Sequence, residues 1–176
     1  MNESLKLSFI EKWNSYFKQA PLPVALFYSD DLHQAEPAPK AAGHRCMIAD
    51  ISKVFGGKAL AFNQTNMSCG GGLRYCGYAD SLRPGFEYFL SYGIEGQMEG
   101  ERYKKDPDTV IELLKHTPSV KAPATWLIAK PFEKLDEKDQ PEVILFFATP
   151  DVMAGLFTLA NYDRTDLQGV KTPFSA

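Results

Sequence analysis

The chain has 176 residues, of which 44% are apolar, and a formal net charge of −3 at pH 7. This length is typical of about one domain, and the content of 12 Phe, 8 Tyr and 2 Trp excludes a disordered chain. The sequence contains no basic block of the kind that follows a phosphate backbone, so we expect no nucleic-acid partner.

Three features of the sequence favour a cytoplasmic protein. The longest apolar runs are far shorter than the ~20 residues that cross a bilayer, so we expect no membrane span. The first residues mix charged and apolar side chains and lack the basic and apolar regions of a signal peptide. Three cysteines do not make a disulfide framework in a chain of this length, so we expect reduced thiols.

The N-terminal part of the sequence alternates between helical and extended patterns. Apolar residues recur every four positions from Leu5 to Phe17, which predicts an amphipathic helix within residues 1–20 that ends before Pro21 and Pro23. The next predicted elements are a buried strand over Val24–Tyr28, an exposed loop over Ser29–Ala42, a helix over His44–Phe55 and a strand over Ala59–Phe62.

The remaining elements again mix helices and strands. They begin with short helices over Leu73–Tyr78 and Pro84–Tyr92 and a helix that Asp106 caps. Two strands over Thr125–Ala129 and Glu142–Ala148 can form an antiparallel hairpin. The last predicted helix runs from Thr149 to about Asn161, and its inward residues are Val152, Leu156, Leu159 and Ala160. Strict βα alternation is missing, which favours an α+β fold with a mixed or antiparallel sheet and packed helices, in a single compact domain over residues 21–176.

The run from Cys69 to Gly72 is the most unusual local feature. Gly70, Gly71 and Gly72 allow positive φ and a close approach of a ligand to the backbone, and their N–H groups can form an anion site. A helix that begins after the glycines would also stabilise a Cys69 thiolate. The alternative is a tight turn in which Cys69 is a small buried apolar residue.

Other candidate groups surround this run in the sequence. Four soft metal ligands are available, at Cys46, Cys69, Cys76 and His44, but their spacing lacks the close pairs of zinc sites. We therefore predict no metal site. An iron–sulfur or other redox site is the alternative. His44-Arg45-Cys46 is the best candidate for thiol activation or anion binding, against the alternative of a polar helix start.

The other histidines are weaker candidates for a general base. His33 falls in the polar loop, and His116 lies near a predicted helix C-terminus, where histidines often complement the helix dipole. Aromatic residues crowd the segment after the glycines; they suit either the core or a pocket for a flat ligand.

Three short motifs occur in this order: Arg45-Cys46 to Ala49, Cys69-Gly70-Gly71, and Pro150-Asp151-Val152 to Asp163. With them, the chain resembles an uncharacterised family, domain of unknown function 169, from about Pro23 to the end. The resemblance implies a cytoplasmic protein of bacteria or archaea without an established activity. It also implies family cysteines at Cys46, at Cys69 and after the last helix. Cys76 is additional here, and residues 167–176 show no terminal helix or closing strand, so we expect the natural chain to continue.

Three hypotheses for function follow. In the first, a pocket between Cys46 and Cys69 binds a small anionic or cofactor-like ligand. Arg45 and the glycine N–H groups hold this ligand, which is linked to a redox role. In the second, the cysteines are structural, and the Ser29–Ala42 loop or an aromatic patch binds a partner protein. In the third, the protein is a thiol-dependent enzyme, which requires a base such as His44 near Cys69.

Overall fold

A computed structural model of the chain describes residues 1–166, in which helices and strands follow one another without strict alternation. The helices are α1 (Glu3–Tyr16), α2 (Met47–Phe55), α3 (Gly70–Tyr75), α4 (Phe86–Phe89), α5 (Pro107–His116) and α6 (Pro150–Asn161). The strands are β1 (Val24–Ser29), β2 (Glu36–Pro37), β3 (Leu60–Phe62), β4 (Gly93–Ile94), β5 (Met98–Glu99), β6 (Trp126–Pro131) and β7 (Val143–Leu145). The predicted α+β class is confirmed.

Five strands form one mixed sheet in the order β2-β3-β6-β1-β7, and β4 and β5 form a separate hairpin. β1 lies antiparallel between β6 and β7, β3 is antiparallel to β6, and β2 is parallel to β3. The predicted hairpin of the two late strands is therefore wrong, because β1 separates them. β1 is apolar on both faces, and a central position buries both of them.

The two faces of the sheet carry two hydrophobic clusters, because successive side chains of a strand point to opposite faces. On one face, α2 supplies Ile51 and Val54, which pack with Leu60 and Leu127. On the other face, the buried strand residues Ala25, Phe27, Ala61 and Ile128 pack with α1 through Phe9 and Ile10. Helix α2 therefore approaches the sheet from the side opposite α1.

The first helix differs from the predicted amphipathic pattern at its start. Leu5 is 63% exposed, whereas Lys6 is buried. The Lys6 ammonium donates a hydrogen bond to the carbonyl oxygen of Leu135 at 2.6 Å and pairs with Glu3 at 2.8 Å. A lysine with its ammonium paired in this way can lay its apolar stem against the core, which counting apolar residues does not predict.

The predicted exposed loop over Ser29–Ala42 is partly ordered against the sheet. Within it, β2 pairs with β3, and Ala35 and Ala38 are buried. The prediction of an exposed loop is thus wrong for this part, because a two-residue strand has no periodicity that the sequence can reveal. The following helix begins at Met47, three residues later than predicted, with Cys46 as its N-cap residue.

Two late helices start where the sequence predicts. The Asp106 carboxylate accepts the N–H of Thr109 at 2.7 Å and caps α5. Of the inward face predicted for α6, Val152 is buried but Leu159 is 62% exposed.

Within residues 1–166, no helix is both long enough and apolar enough to cross a membrane. The predicted absence of a closing element over residues 167–176 lies outside the described residues.

Candidate functional site

The N-terminus of α2 presents one exposed thiol, and Arg45 before the helix and Lys53 in its last turn both pair with Asp50. Cys46 is the N-cap residue, but its side chain makes no capping hydrogen bond. Arg45 Nη2 lies 2.6 Å from the Asp50 carboxylate, which also accepts a hydrogen bond from Lys53 at 3.0 Å. Asp50 is buried and offsets one of these two positive charges, so Arg45 is already engaged within the protein.

The glycine run forms the first turn of α3 rather than an open loop. Cys69 is the N-cap residue, and its sulfur accepts the N–H of Gly72 at 3.2 Å. Gly70 and Gly71 have room for a methyl group, next to Arg83 and to the ring of Phe86 respectively. The three glycines are helical and do not have positive φ, so that part of the prediction is wrong.

Gly72 is the glycine of this run with the least room for a side chain. A Cβ there would lie 2.9 Å from Met67 Sδ, 3.3 Å from Cys69 Cβ and 3.4 Å from Met47 Cβ. At the C-cap of the same helix, Cys76 Sγ lies 3.7 Å from Met47 Sδ. We refer to Met47, Met67, Cys69 and Cys76 as the sulfur cluster. Gly72 permits its close packing because it adds no side chain between α2 and α3.

The surroundings of Cys76 are apolar and aromatic. Burial raises the pKa of the Cys76 thiol to about 11, and the nearby Cys69 adds to this rise. Tyr28 donates a hydrogen bond to the Cys76 carbonyl oxygen at 3.0 Å. The hydroxyl of Tyr78 is buried without a hydrogen-bond partner in the described part of the chain, and burial, followed by Tyr28 and Cys76, raises its pKa.

The structure brings together the two segments that the sequence singles out. Met47, which follows Cys46, packs against Gly72 and Cys76 and so joins the start of α2 to α3. Arg45 turns instead to Asp50. The sequence pattern does not single out the two methionines, because methionine is a common core residue. The one feature of the sequence that sets them apart is their position beside cysteines, at Cys46-Met47 and Met67-x-Cys69.

The histidines do not contribute to this cluster through hydrogen bonds. Among residues 1–166, no histidine forms a hydrogen bond with a cysteine, and His116 bonds to Glu112 on the exposed end of α5. In that part of the chain, no three His, Cys, Asp or Glu side chains are grouped to hold a metal ion. Any metal bound at the cluster would therefore need the methionine sulfurs as well as the thiols.

The Cys46 and Cys76 thiols are expected to differ in reactivity toward iodoacetamide. Cys46 is exposed and should be alkylated first. At pH 8 a thiol with a pKa of about 11 holds roughly 100-fold less thiolate than an ordinary one, so Cys76 should react at least about 100-fold more slowly than a free thiol. Its rate should rise with pH until about 11. Mass spectrometry of timed digests measures each site, and alkylation of Cys76 at pH 8 as fast as that of Cys46 would contradict this expectation.

Comparison with known proteins gives one match. Residues 16–176 match the family of domain of unknown function 169, described as uncharacterised ArCR. No curated protein and no solved structure matches the chain. Since the match extends over most of the sequence, the predicted resemblance is confirmed, and the chain belongs to the family of domain of unknown function 169.

Proposed function

We propose that the protein binds a small, redox-linked ligand between α2 and α3, and that this ligand is a soft metal ion of the Cu(I) class held by the sulfur cluster. The observation that carries the proposal is the distance of 3.7 Å between Cys76 Sγ and Met47 Sδ. In a tetrahedral site with metal–sulfur bonds of about 2.3 Å, neighbouring sulfurs lie about 3.8 Å apart. The Cys76–Met47 pair thus has the spacing of two ligands of one ion.

The chemistry of the four side chains supports a soft ion. Thiolates and thioethers select Cu(I) over harder divalent ions, and thioethers stay neutral in a poorly solvated site. Cys69 and Met67 lie beside the same glycine, Gly72, and are the other two sulfur-bearing side chains of the cluster. The proposal departs from the expected absence of a metal site, because that expectation counted only cysteine and histidine as ligands.

An anionic ligand has less support at this position. The N–H of Gly72 is donated to Cys69, and Arg45 is paired with Asp50. Helix α3 has six residues, which leaves a weak dipole at its N-terminus. These contacts use Arg45 and one of the three glycine N–H groups that the first hypothesis assigned to an anion, so we keep the α2–α3 location and the redox link of that hypothesis but not its anionic ligand.

The alternative of a protein-interaction module has mixed support. The Ser29–Ala42 loop, one of its two proposed contact surfaces, is partly held against the sheet through β2. The partly buried thiols of Cys69 and Cys76 pack against the core and agree with structural cysteines. A cytoplasmic compartment, which we also propose, would keep all three thiols reduced in either case.

Metal binding by anaerobic protein tests the proposal. Cu(I) should be taken from a chromophoric chelator by the wild-type chain at about one equivalent. Cys76→Ser and Met47→Leu should each weaken Cu(I) binding by roughly tenfold or more, since each removes one sulfur of the Cys76–Met47 pair. Met47→Leu conserves side-chain volume, so the fold should tolerate it.

The matched controls are the exposed residues Cys46 and Met98. Cys46→Ser and Met98→Leu should leave Cu(I) affinity unchanged. Because Cys76 must lose its proton to bind, affinity should rise with pH below about 11. The proposal fails if Met47→Leu binds Cu(I) as tightly as the wild type, or if Cys46→Ser abolishes binding.

A further inference from the structure

Arg74, on α3, is a buried arginine whose charge no carboxylate of the described chain offsets. The residue is only 7% exposed. Its Nη1 points to the carbonyl oxygen of Pro118, but at 3.5 Å, which is longer than an ordinary hydrogen bond. In residues 1–166, the arginines that have a carboxylate within 4.0 Å are Arg45 and Arg164. Arg74 therefore carries its charge into the fold without a counter-ion.

The burial of this charge is costly. A guanidinium stays protonated in proteins, so burial cannot neutralise Arg74. A buried charge without a partner costs more free energy than any buried neutral polar group. The ring of Tyr75 offsets part of this cost, because Arg74 Cζ lies 6.0 Å from its centroid. A neutral ring and one distant carbonyl leave most of the charge for an anion to offset.

The remaining N–H donors of Arg74 are accessible to such an anion. Nε and Nη2 form no hydrogen bond with residues 1–166, and neither is among the fully buried unpaired atoms of that part of the chain. Both nitrogens therefore reach the surface, although the rest of the side chain is covered. An anion can contact them without any opening of the fold.

A second arginine lies on the same face of α3. Gly70 and Arg74 are four positions apart in the helix and so share a face. Arg83 Cγ and Nε each lie 3.6 Å from the position that a Cβ of Gly70 would occupy. Arg83 is exposed, and it too lacks a carboxylate within 4.0 Å among residues 1–166. This face of α3 thus carries two guanidinium side chains and no ion pair.

We propose that Arg74 and Arg83 bind the phosphate group of a small molecule. The planar guanidinium presents paired N–H donors that match phosphate oxygens. A phosphate dianion offsets both positive charges, whereas a single carboxylate would offset only one. The site is separate from the sulfur cluster, because Gly72 and Cys76 lie on the opposite side of α3. Either site can therefore fail its test without the other.

Thermal unfolding of the full chain tests the proposal, with inorganic phosphate as the probe at about pH 8, where it is mostly the dianion. Phosphate should raise the unfolding temperature by roughly 3–6 °C at ten times its half-saturating concentration. Acetate and chloride at equal ionic strength should not. The general salting effect of phosphate does not saturate and is shared by all variants. A rise that does not saturate, or one that acetate reproduces, would overturn the proposal.

Arg74→Met removes the guanidinium and keeps an apolar stem in its place. The variant should lose the saturable response to phosphate. In chloride alone, its unfolding temperature should be at least that of the wild type, because replacing an unpaired buried charge by an apolar side chain does not destabilise a fold. A lower unfolding temperature in chloride would mean that Pro118 already compensates the charge, contrary to the proposal.

Arg83→Gln tests the site without altering a buried residue, and it decides the matter if Arg74→Met does not fold. It should raise the half-saturating phosphate concentration by roughly 2- to 5-fold, since Arg83 is exposed. Arg164→Gln, at an exposed arginine that pairs with Asp166, is the matched control and should leave that concentration unchanged. Equal weakening by both variants would show general charge screening and would rule out a site at Arg74 and Arg83.

Discussion

Replacing Asp139 by alanine should lower the free energy of unfolding by about 3–5 kcal/mol. Asp139 has no exposed surface, and the Lys130 ammonium that it pairs with is 2% exposed. The variant would leave the buried Lys130 ammonium with only the partly exposed Asp136 carboxylate, 3.5 Å away, and the loss of a buried partner costs far more than the loss of a surface pair. Urea denaturation followed by circular dichroism measures the effect.

Two further variants separate charge from packing in that experiment. Asp139→Leu combined with Lys130→Met removes both buried charges and should recover much of the lost stability. Glu112→Ala breaks the exposed pairs with Lys115 and His116 and should change stability little, because solvent screens these pairs. If Asp139→Ala costs as little as Glu112→Ala, the buried pair does not stabilise the fold in the way we describe.

The second large effect is expected at Gly77, immediately after the Cys76 end of the sulfur cluster. Gly77 has φ of +74°, and a Cβ there would lie 2.4 Å from the backbone nitrogen of Ala122 and 2.7 Å from the carbonyl carbon of Lys121. The Ala122 N–H also donates to the Gly77 carbonyl oxygen at 2.9 Å. Gly77→Ala should therefore cost about 2–5 kcal/mol from positive φ and backbone overlap together.

Gly85 provides the matched control for this variant. Its φ is +83°, but a Cβ there would meet nothing within 4 Å. Gly85→Ala should cost about 1–2 kcal/mol, which is the penalty of the backbone conformation alone. Thermal and urea unfolding of the two variants give the difference, and equal losses at both positions would show that the approach of residues 121–122 does not limit the site.

The helices of this protein are easier to predict from the sequence than its strands. Asp106 and Pro107 mark the start of α5 because the cap and the proline act within one turn. Likewise, Gly56 ends α2 where the apolar pattern stops. These signals are local in the chain, so a single sequence contains them in full.

The sheet order and the composition of the candidate site are decided over longer distances. The placement of β1 between β6 and β7 depends on burying both faces of β1, to which α1 and α2 contribute from opposite sides. Cys69 was recognisable beside its glycines, but the role of Met67 and Met47 follows only from their approach to Gly72. Methionine is ordinary in any core, so its identity alone carries no signal.

The sequence by itself determined the α+β class, the family, the starts of α5 and α6, and the cysteine segments that meet between α2 and α3. The tertiary structure alone decided that His33, predicted to lie in a polar loop, is bonded to Asp139 more than 100 positions later in the chain. It also turned Arg45 toward Asp50 and brought Cys76 to Met47. The physical reason is range: caps and periodicity act between neighbours in the chain, whereas buried charge pairs and sulfur contacts exist only once distant segments pack together.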